Sequence, residues 1–302
     1  MSKEQSDIQL SSEILKISNR SQKKPAKKDK GLQRTEEWFN QRKGSWTASQ
    51  MKNLMSCSGQ GGKLTWNDVD KLFYFGKTAL KYIYENAMER KTDRYIDSGL
   101  DTKATRYGTK VEPLIFKISQ KKLSKIHKKA KLIEVGFKKF DGFETAGVSS
   151  DGLLVKSLKK KEPIASMEYK ACTNWNTHYD RTFELVDDKN QDFWQMQSQM
   201  IAWKVNTCYY CVSEPPNDIN EYLQIPDDEI FDAYKKFKKE CKVTVQEVKA
   251  SKLHQLALLR RIFMAEKTLE KFLSKGGNLK EILEETVEYY HDNQEELIKI
   301  QI

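Results

Sequence analysis

Residues 163–172 read PIASMEYKAC, and this stretch indicates how the central part of the chain is folded. Its residues favour a β-strand, in which successive side chains point to opposite faces of a sheet. Glu168 and Lys170 then lie on one face, while Met167 and Tyr169 lie on the other. A carboxylate and an ammonium are therefore predicted to be neighbours on one surface.

A second strand is predicted just before this one. Residues 147–155, GVSSDGLLV, read as a turn that enters an apolar strand, and residues 156–163, KSLKKKEP, form a polar connection. Two strands with such a connection can pair as a hairpin. That pairing would bring Asp151 beside Glu168.

A third carboxylate, Glu112, lies in YGTKVEPLIF at residues 107–116. Apolar residues recur around it at the spacing of a helix that buries one face, which can leave the carboxylate at the edge of that face. Pro113 would kink this helix or mark its first turn. The apolar positions are Tyr107, Val111, Leu114, Ile115 and Ile118.

Three carboxylates and an ammonium suit the hydrolysis of phosphodiesters. Carboxylate oxygens are the ligands that Mg²⁺ or Mn²⁺ prefers, and such a metal activates water and neutralises charge on the phosphate. Lys170 would hold or help to deprotonate the attacking water. An acid-x-Lys triplet also arises by chance in a charged chain, as in Glu247-Val248-Lys249, so the wider sequence has to support this interpretation.

Residues 191–205, QDFWQMQSQMIAWKV, predict a helix on which Gln195 and Gln199 share one face. A glutamine there can hydrogen-bond a phosphate, a bound water or the lysine without adding charge. The alternative is an amphipathic core helix whose glutamines are solvated.

These segments together resemble the phage lambda exonuclease family, also called the YqaJ-type viral recombinases, within the PD-(D/E)XK nuclease superfamily. The matching blocks occur in the family's order between Arg34 and about Met200. Several blocks in order are far more specific than one motif alone. The blocks are RTEEWFNQRKGSWTAS, YGTKVEPLIF, GVSSDGLL, MEYKAC and FWQMQSQM.

The resemblance implies an α/β fold with a restriction-endonuclease-like core, in which helices flank a central mixed β-sheet. It also implies catalytic roles for Lys170, which orients water, and for Gln195 of the following helix. The implied metal ligands are Glu112, Asp151, Glu168 and the backbone carbonyl of Tyr169.

In the first block, the resemblance implies that Arg42 and Ser49 hold a 5′-terminal phosphate. The planar guanidinium suits this role because it can make paired, charge-assisted bonds to phosphate oxygens. An exposed surface arginine is the simpler alternative for Arg42 taken alone.

The implied activity is Mg²⁺-dependent degradation of linear double-stranded DNA from the 5′ end, which leaves a 3′ single strand for recombination. The implied partners are double-stranded DNA ends, a single-strand annealing protein and further copies of the chain in a homotrimer. Three alternatives stay open: a viral alkaline nuclease or host-shutoff RNase, a structure-specific endonuclease, and a non-catalytic module that binds DNA ends.

Two departures from the family pattern affect the expected DNA contacts. Asn176 occupies the position of a further basic phosphate contact, for which His178 or Arg181 could substitute. The predicted hairpin is long and rich in lysine, so its turn either touches DNA or is simply solvated. The lysines of that turn are Lys156, Lys159, Lys160 and Lys161.

The charge of the chain agrees with a nucleic-acid partner. Its 302 residues include 53 basic and 43 acidic residues, a net charge of +10. The basic residues concentrate at 23–30 and 117–131, whereas residues 281–297 are acidic. Basic patches attract the phosphate backbone without reading sequence, and such binding weakens with salt.

Three regions are predicted along the chain. Residues 1–30 form a basic, disordered tail, residues 31–245 the nuclease core, and residues 246–302 a C-terminal helical extension. No apolar run long enough for a membrane span and no secretory signal is present, which predicts an intracellular protein. Its place would be the host cytoplasm for a phage protein, or the nucleus for a eukaryotic or viral one.

The cysteines and histidines predict no zinc site. The odd number of five cysteines fits a reducing compartment. Cys208 and Cys211 invite comparison with iron-sulfur nucleases, together with Cys57 and Cys241. Residues three apart on a strand point to opposite faces, however, so buried thiols are favoured. The CSGQGGKL segment at residues 57–64 lacks the spacing of a phosphate-binding loop.

Overall fold

The computed structural model describes most of the chain from Gln33 onward. The described residues are 33, 35–56, 75–96, 101–184, 186–187, 190, 192–275, 279–293, 295–296 and 299–300. The predicted tail at residues 1–30 lies outside this set, as do Cys57 and the segment at residues 57–64.

The described elements include both helices and strands. None of these helices combines the length and the apolar character that crossing a bilayer requires. In chain order, the elements are α1 (Glu36–Arg42), β1 (Trp46–Thr47), α2 (Met51–Leu54), α3 (Lys77–Thr92), α4 (Lys103–Ile126), β2 (Lys131–Ile133), β3 (Phe137–Phe140), β4 (Phe143–Ser149), β5 (Gly152–Val155), β6 (Pro163–Ala171), α5 (Trp175–Thr182), α6 (Phe193–Trp203), β7 (Thr207–Ser213), α7 (Ile219–Leu223), α8 (Tyr234–Glu240), β8 (Val243–Lys249), α9 (Lys252–Lys275) and α10 (Leu279–Asp292).

The central sheet has five strands in the order β2-β5-β6-β7-β8. Strands β6 and β7 run parallel, and the other neighbouring strands run antiparallel, so the sheet is mixed. The predicted hairpin is confirmed, because β5 and β6 pair with Gly152 opposite Met167. The predicted α/β class with a central mixed sheet is therefore confirmed.

Helix α4 covers one face of this sheet. Thr102 caps the helix by accepting a hydrogen bond from the Thr105 backbone N–H at 3.1 Å. The apolar stripe predicted around Glu112 is buried against Met167 and Tyr169 of β6. Pro113 lies well inside α4, so the interpretation that it marks the first turn is wrong.

Helix α6 covers the opposite face of the sheet. Its Met196 and Met200 are buried against Cys208, Tyr210 and other residues of β7. Cys211 packs instead on the face covered by α4. The prediction that Cys208 and Cys211 are buried thiols on opposite faces is confirmed.

A second sheet has three strands in the order β1-β4-β3. Two of them, β3 and β4, lie between β2 and β5 in the sequence. Strands β3 and β4 approach so closely at Gly147 that a Cβ there would meet the Phe137 ring at 2.5 Å. Glycine is needed for this approach. This close pairing with β3 positions the last residues of β4. From there the chain passes through Ser149 and Asp151 into β5.

Residues on both sides of the predicted division at residue 245 contribute to one buried cluster. The boundary falls within β8, an outer strand of the central sheet. Helix α9 then contributes Leu258, Ile262 and Leu269 to a buried cluster that also contains Trp46 and Ile83. After β8 the described residues include the helices α9 and α10, and α9 is packed into the body of the protein.

Glu266 of α9 joins this helix to three other elements. It accepts hydrogen bonds from Trp46 Nε1 at 2.7 Å and from both terminal nitrogens of Arg90 at 2.7 and 2.8 Å, and it also accepts one from Thr145. Burial would raise the pKa of Glu266, but Arg90 and Thr145 outweigh burial and lower it. The folded state therefore favours the ionised carboxylate.

Replacing Glu266 with Gln should destabilise the fold by about 2–3 kcal/mol, because it removes the charged acceptor from a partly buried pair. A depressed folded-state pKa gives stability that is present above the unfolded pKa and is lost as the pH falls through the folded pKa. The difference between the variant and the wild type should therefore shrink below about pH 4.

Urea unfolding at neutral and acidic pH measures both effects. Glu270→Gln on the same helix is the matched control, because Glu270 is exposed and pairs only loosely with Lys267 at 3.5 Å. This control should change stability by less than about 0.5 kcal/mol. Equal losses for the two variants at neutral pH would contradict the structural role of Glu266.

Candidate active site

The end of β6 carries a charged pair on the face covered by α6. Lys170 Nζ lies 2.7 Å from Glu168 Oε1, and the Glu168 side chain is only 2% exposed. Met167 and Tyr169 are buried in the cluster on the other face. The alternation predicted from PIASMEYKAC is confirmed, and it places the two charged groups side by side.

Asp151 reaches the same strand from the β4–β5 junction. Its Oδ2 accepts a hydrogen bond from the backbone N–H of Tyr169 at 2.7 Å. The β5–β6 pairing makes this possible, because Gly152 lies opposite Met167. The prediction that the hairpin brings Asp151 beside the Glu168 strand is confirmed.

Negative charge is concentrated around Asp151. Burial, followed by the charges of Glu168 and Glu112, raises the pKa of Asp151 well above its ordinary value. Burial also raises the pKa of Glu168, although Lys170 opposes this shift. Glu112 is half-buried on α4 and acts on Asp151 through its charge. The single positive charge of Lys170 thus compensates only part of the negative charge of Asp151, Glu168 and Glu112.

Both predicted glutamines of α6 face this cluster. Lys170 Nζ donates to Gln195 Oε1 at 3.3 Å, and Gln199 Nε2 donates to Glu168 Oε2 at 2.5 Å. Gln199 is completely buried and also accepts a bond from Cys208 Sγ at 3.5 Å. The alternative of solvated glutamines is wrong for Gln199, and sequence reasoning had not paired this residue with Glu168.

Asp192 is a member of the cluster that sequence reasoning missed. Its Oδ1 lies 3.2 Å from Lys170 Nζ, and its side chain is 7% exposed. It directly precedes the FWQMQSQM block and belongs to none of the family motifs. An acidic residue just before the glutamine helix was the one signal that could have identified it.

Arg42 and Ser49, for which the resemblance implies a role in phosphate binding, lie together. Arg42 Nη2 donates to Ser49 Oγ at 3.4 Å and Nη1 donates to Ser149 Oγ at 3.2 Å. The guanidinium stacks on the Trp38 ring at 4.2 Å, and Trp38 Nε1 donates to Ser149 at 2.8 Å. Ser149 and Trp38 were not identified as site residues from the sequence.

The side chain of Arg42 retains donor capacity in this arrangement. Its Nε is buried and has no hydrogen-bond partner in the part of the protein that the structure describes. Leaving a buried donor without a hydrogen bond costs free energy. A bound group that offers an acceptor to Nε would therefore be stabilised. Arg42 is only half-buried overall, which rules out the interpretation as a fully exposed surface arginine.

The candidates for the missing basic contact occupy different environments. Asn176 is exposed on α5, whereas His178 is buried with an unpartnered Nε2 among the described residues. Burial lowers the pKa of His178. Arg181 pairs with Asp192 Oδ2 at 3.3 Å and is the one of the three that reaches the charged cluster.

Two lysine-rich features remain at the surface. Lys156 pairs with Glu162 across the turn of the β5–β6 hairpin, and Lys159, Lys160 and Lys161 are exposed. The chance triplet at 247–249 pairs with itself on β8. Neither feature contacts the charged cluster in the described residues.

The donor set around Asp151 suits a hard divalent cation. Within the described ranges, no group of three or more His, Cys, Asp or Glu side chains is assembled as a metal centre. Asp151 and Glu168 bond instead to Tyr169 N–H, Lys170 and Gln199. Their carboxylate oxygens and the raised pKa of Asp151 nevertheless fit Mg²⁺ or Mn²⁺, since bound positive charge would relieve the repulsion.

Solved exonuclease structures resemble this chain. The phage-related exonuclease from Haemophilus somnus 129PT superposes with a TM-score of 0.51 and is 14% identical, over 77% of this chain and 96% of that one. The alkaline exonuclease LHK-Exo from Laribacter hongkongensis is 21% identical over 87% of this chain and 100% of that one, with a TM-score of 0.47. Its complex with dAMP gives the same values.

No protein-family model and no curated protein sequence matches the chain. The likeness to the Haemophilus exonuclease shows a common fold. The predicted α/β fold with a central mixed sheet is thereby confirmed as one that a phage-related exonuclease shares.

Proposed function

We propose that this protein is a metal-dependent exonuclease that degrades linear double-stranded DNA from the 5′ end and leaves a 3′ single strand for recombination by strand annealing. One observation carries this proposal: Asp151, which is assembled with Glu168 and Lys170, lies only two residues along the chain from Ser149, which contacts Arg42. A hydrolytic cluster and a phosphate-binding group thus adjoin each other.

The residues proposed to hold Mg²⁺, or Mn²⁺ in its place, are Asp151, Glu168, Glu112 and the Tyr169 carbonyl. When bound, such a metal supplies an activated water and neutralises charge on the phosphate. Glu112 on α4 adds negative charge near Asp151. The combination attracts a cation more strongly than two carboxylates alone would.

Lys170 is proposed to orient the attacking water. Burial would lower its pKa, but Asp192, Glu168 and Asp151 outweigh burial and raise it, so the amine stays protonated. A protonated amine donates hydrogen bonds and does not act as a base. Gln195, which accepts a bond from Lys170, can exchange that bond for one to water at little electrostatic cost.

Arg42 is proposed to hold the 5′-terminal phosphate together with Ser49 and Ser149. The guanidinium has a fixed orientation because Trp38 stacks on it and both serines accept from it. A group fixed in this way binds phosphate with less loss of side-chain entropy. It would distinguish a phosphorylated 5′ end from a 5′ hydroxyl or a closed circle.

By resemblance, the enzyme would act inside cells as a homotrimer beside a single-strand annealing protein. These partners are part of the proposal and follow from the family pattern. An RNase, an endonuclease or a DNA-end-binding module could use the same charged cluster, so the substrate has to be tested directly.

The deciding experiment is digestion of an end-labelled linear duplex with Mg²⁺ or with EDTA. Closed circular duplex, 5′-hydroxyl duplex and single-stranded RNA are digested in parallel. Release of nucleotides from linear, preferentially 5′-phosphorylated DNA, abolished by EDTA, is the expected result. Cleavage of circles or RNA would assign the site to an endonuclease or RNase, and binding without turnover would indicate an end-binding module.

Replacing Lys170 with Ala should lower the rate of hydrolysis by at least ~100-fold, because the ammonium that orients water is lost. Duplex binding, measured by fluorescence anisotropy in Ca²⁺, should change little. Lys249→Ala is the control, since Lys249 is an exposed lysine in the same acid-x-Lys pattern. Undiminished cleavage by the Lys170 variant would remove this lysine from catalysis.

Replacing Arg42 with Ala should remove the preference for a 5′-phosphate over a 5′-hydroxyl end. Loss of charge-assisted bonds to phosphate predicts a fall of about 10- to 100-fold in kcat/KM on phosphorylated ends. The hydroxyl substrate should be affected far less. Arg106→Ala, which alters an exposed arginine, serves as the control, and a preference that persists in the Arg42 variant would place the phosphate elsewhere.

A further inference from the structure

The ammonium of Lys170 has three hydrogen-bond donors and three protein acceptors. These acceptors are Glu168 Oε1 at 2.7 Å, Asp192 Oδ1 at 3.2 Å and Gln195 Oε1 at 3.3 Å. Gln195 is neutral and its contact is the longest, so a water can replace it at the least cost. Glu168 and Asp192 are then the two charged groups that fix the position of the ammonium.

Asp192 is itself held by contacts on its other oxygen. Its Oδ2 accepts from Tyr210 OH at 2.5 Å and lies 3.3 Å from Arg181 Nε. Its backbone N–H donates to Asn190 Oδ1 at 2.9 Å. These bonds leave Oδ1 directed at Lys170, and they fix the carboxylate before α6 begins at Phe193.

The contacts of Asp192 also link it to the strand pair that carries Glu168. Tyr210 is completely buried on β7 and lies opposite Glu168 in the parallel β6–β7 register. Glu168 and Tyr210, whose hydroxyl bonds to Asp192, therefore lie at paired positions on neighbouring strands. Lys170 is clamped between two carboxylates whose separation is set by the sheet.

We propose that Asp192 is a positioning residue, which holds the Lys170 ammonium at the place where the attacking water is bound. The proposal rests on the hydrolytic function proposed above. Asp192 touches neither the substrate nor the reacting atoms and acts through Lys170. A simple structural role would instead require Asp192 only as an anchor between α5, α6 and β7.

The two oxygens of Asp192 allow these roles to be separated. Asp192→Asn preserves the size of the side chain but removes the charge that faces Lys170. Tyr210→Phe removes one bond to Oδ2 but leaves Arg181 to hold that oxygen, so the charge and the Lys170 contact stay in place. Asp180→Asn, at an exposed position of α5, is the matched control for the loss of a carboxylate.

Initial rates on a 5′-phosphorylated linear duplex give kcat and KM for the wild type and the three variants. Asp192→Asn should lower kcat by ~10-fold or more with KM changed less than ~3-fold, because the water is misplaced while the DNA is still bound. Tyr210→Phe should keep most of the wild-type kcat, even if it lowers the melting temperature as much as Asp192→Asn does. Losses of kcat that follow the melting temperature in both variants would overturn the proposal.

A second measurement does not depend on turnover. Limited acetylation with acetic anhydride, followed by mass spectrometry, reports how firmly the Lys170 amine is held. Labelling of Lys170 relative to Lys249 should rise at least ~5-fold in Asp192→Asn and stay unchanged in Asp180→Asn. If the wild type digests no DNA, the proposed function fails, whereas unchanged labelling shows that Asp192 does not hold Lys170.

Discussion

The burial of Glu168 is the constraint on which the charged centre depends. A carboxylate that is 1% exposed in the middle of a sheet loses its hydration, and this loss has to be offset by hydrogen bonds and opposite charge. Lys170 and Gln199 supply them. Lys170 is itself largely buried, and Asp192 compensates part of its charge. Asp192 in turn pairs with Arg181 and accepts a hydrogen bond from Tyr210. The charge of each buried group is thus compensated by the next group outward, and the last of these is the partly exposed guanidinium of Arg181.

This sequence of charges restricts how α6 can pack. A helix that buries only methionines against a sheet could slide or rotate at modest cost, because apolar contacts have little directional preference. In α6, Gln199 bonds to Glu168 and Gln197 bonds to the backbone of Lys249 and Ser251. These directional bonds, made on two sides of the helix, fix its register, and the position of Gln195 beside Lys170 follows from it.

The features predicted well from the sequence are those set by local periodicity. The alternation in residues 163–172 gave the faces of β6, and the polar connection after Val155 gave the hairpin. The features that were missed depend on contacts across long sequence separations. Ser149 lies 107 residues from Arg42, and Glu266 lies 220 residues from Trp46. Neither strand nor helix periodicity contains information about such pairs, so Ser149 and the packing of α9 into the core became visible only in the fold.

The spacing between the proposed phosphate pocket and the carboxylates follows from covalent geometry. Ser149 contacts Arg42, and Asp151 bonds to Tyr169, so one step of two residues joins the two sites. Two residues span at most about 7 Å between Cα atoms, which is short enough for both sites to contact one terminal nucleotide.

Ser150 between them is completely buried. Its hydroxyl accepts a bond from Trp203 Nε1 at 3.1 Å, and its carbonyl accepts one from Gln33 at 2.9 Å. A segment held at three successive residues has little freedom to lengthen, so the β4–β5 junction sets the distance between the proposed phosphate contact and the proposed hydrolytic cluster. The exonuclease proposed above would need such a fixed distance to remove one nucleotide at a time from an end.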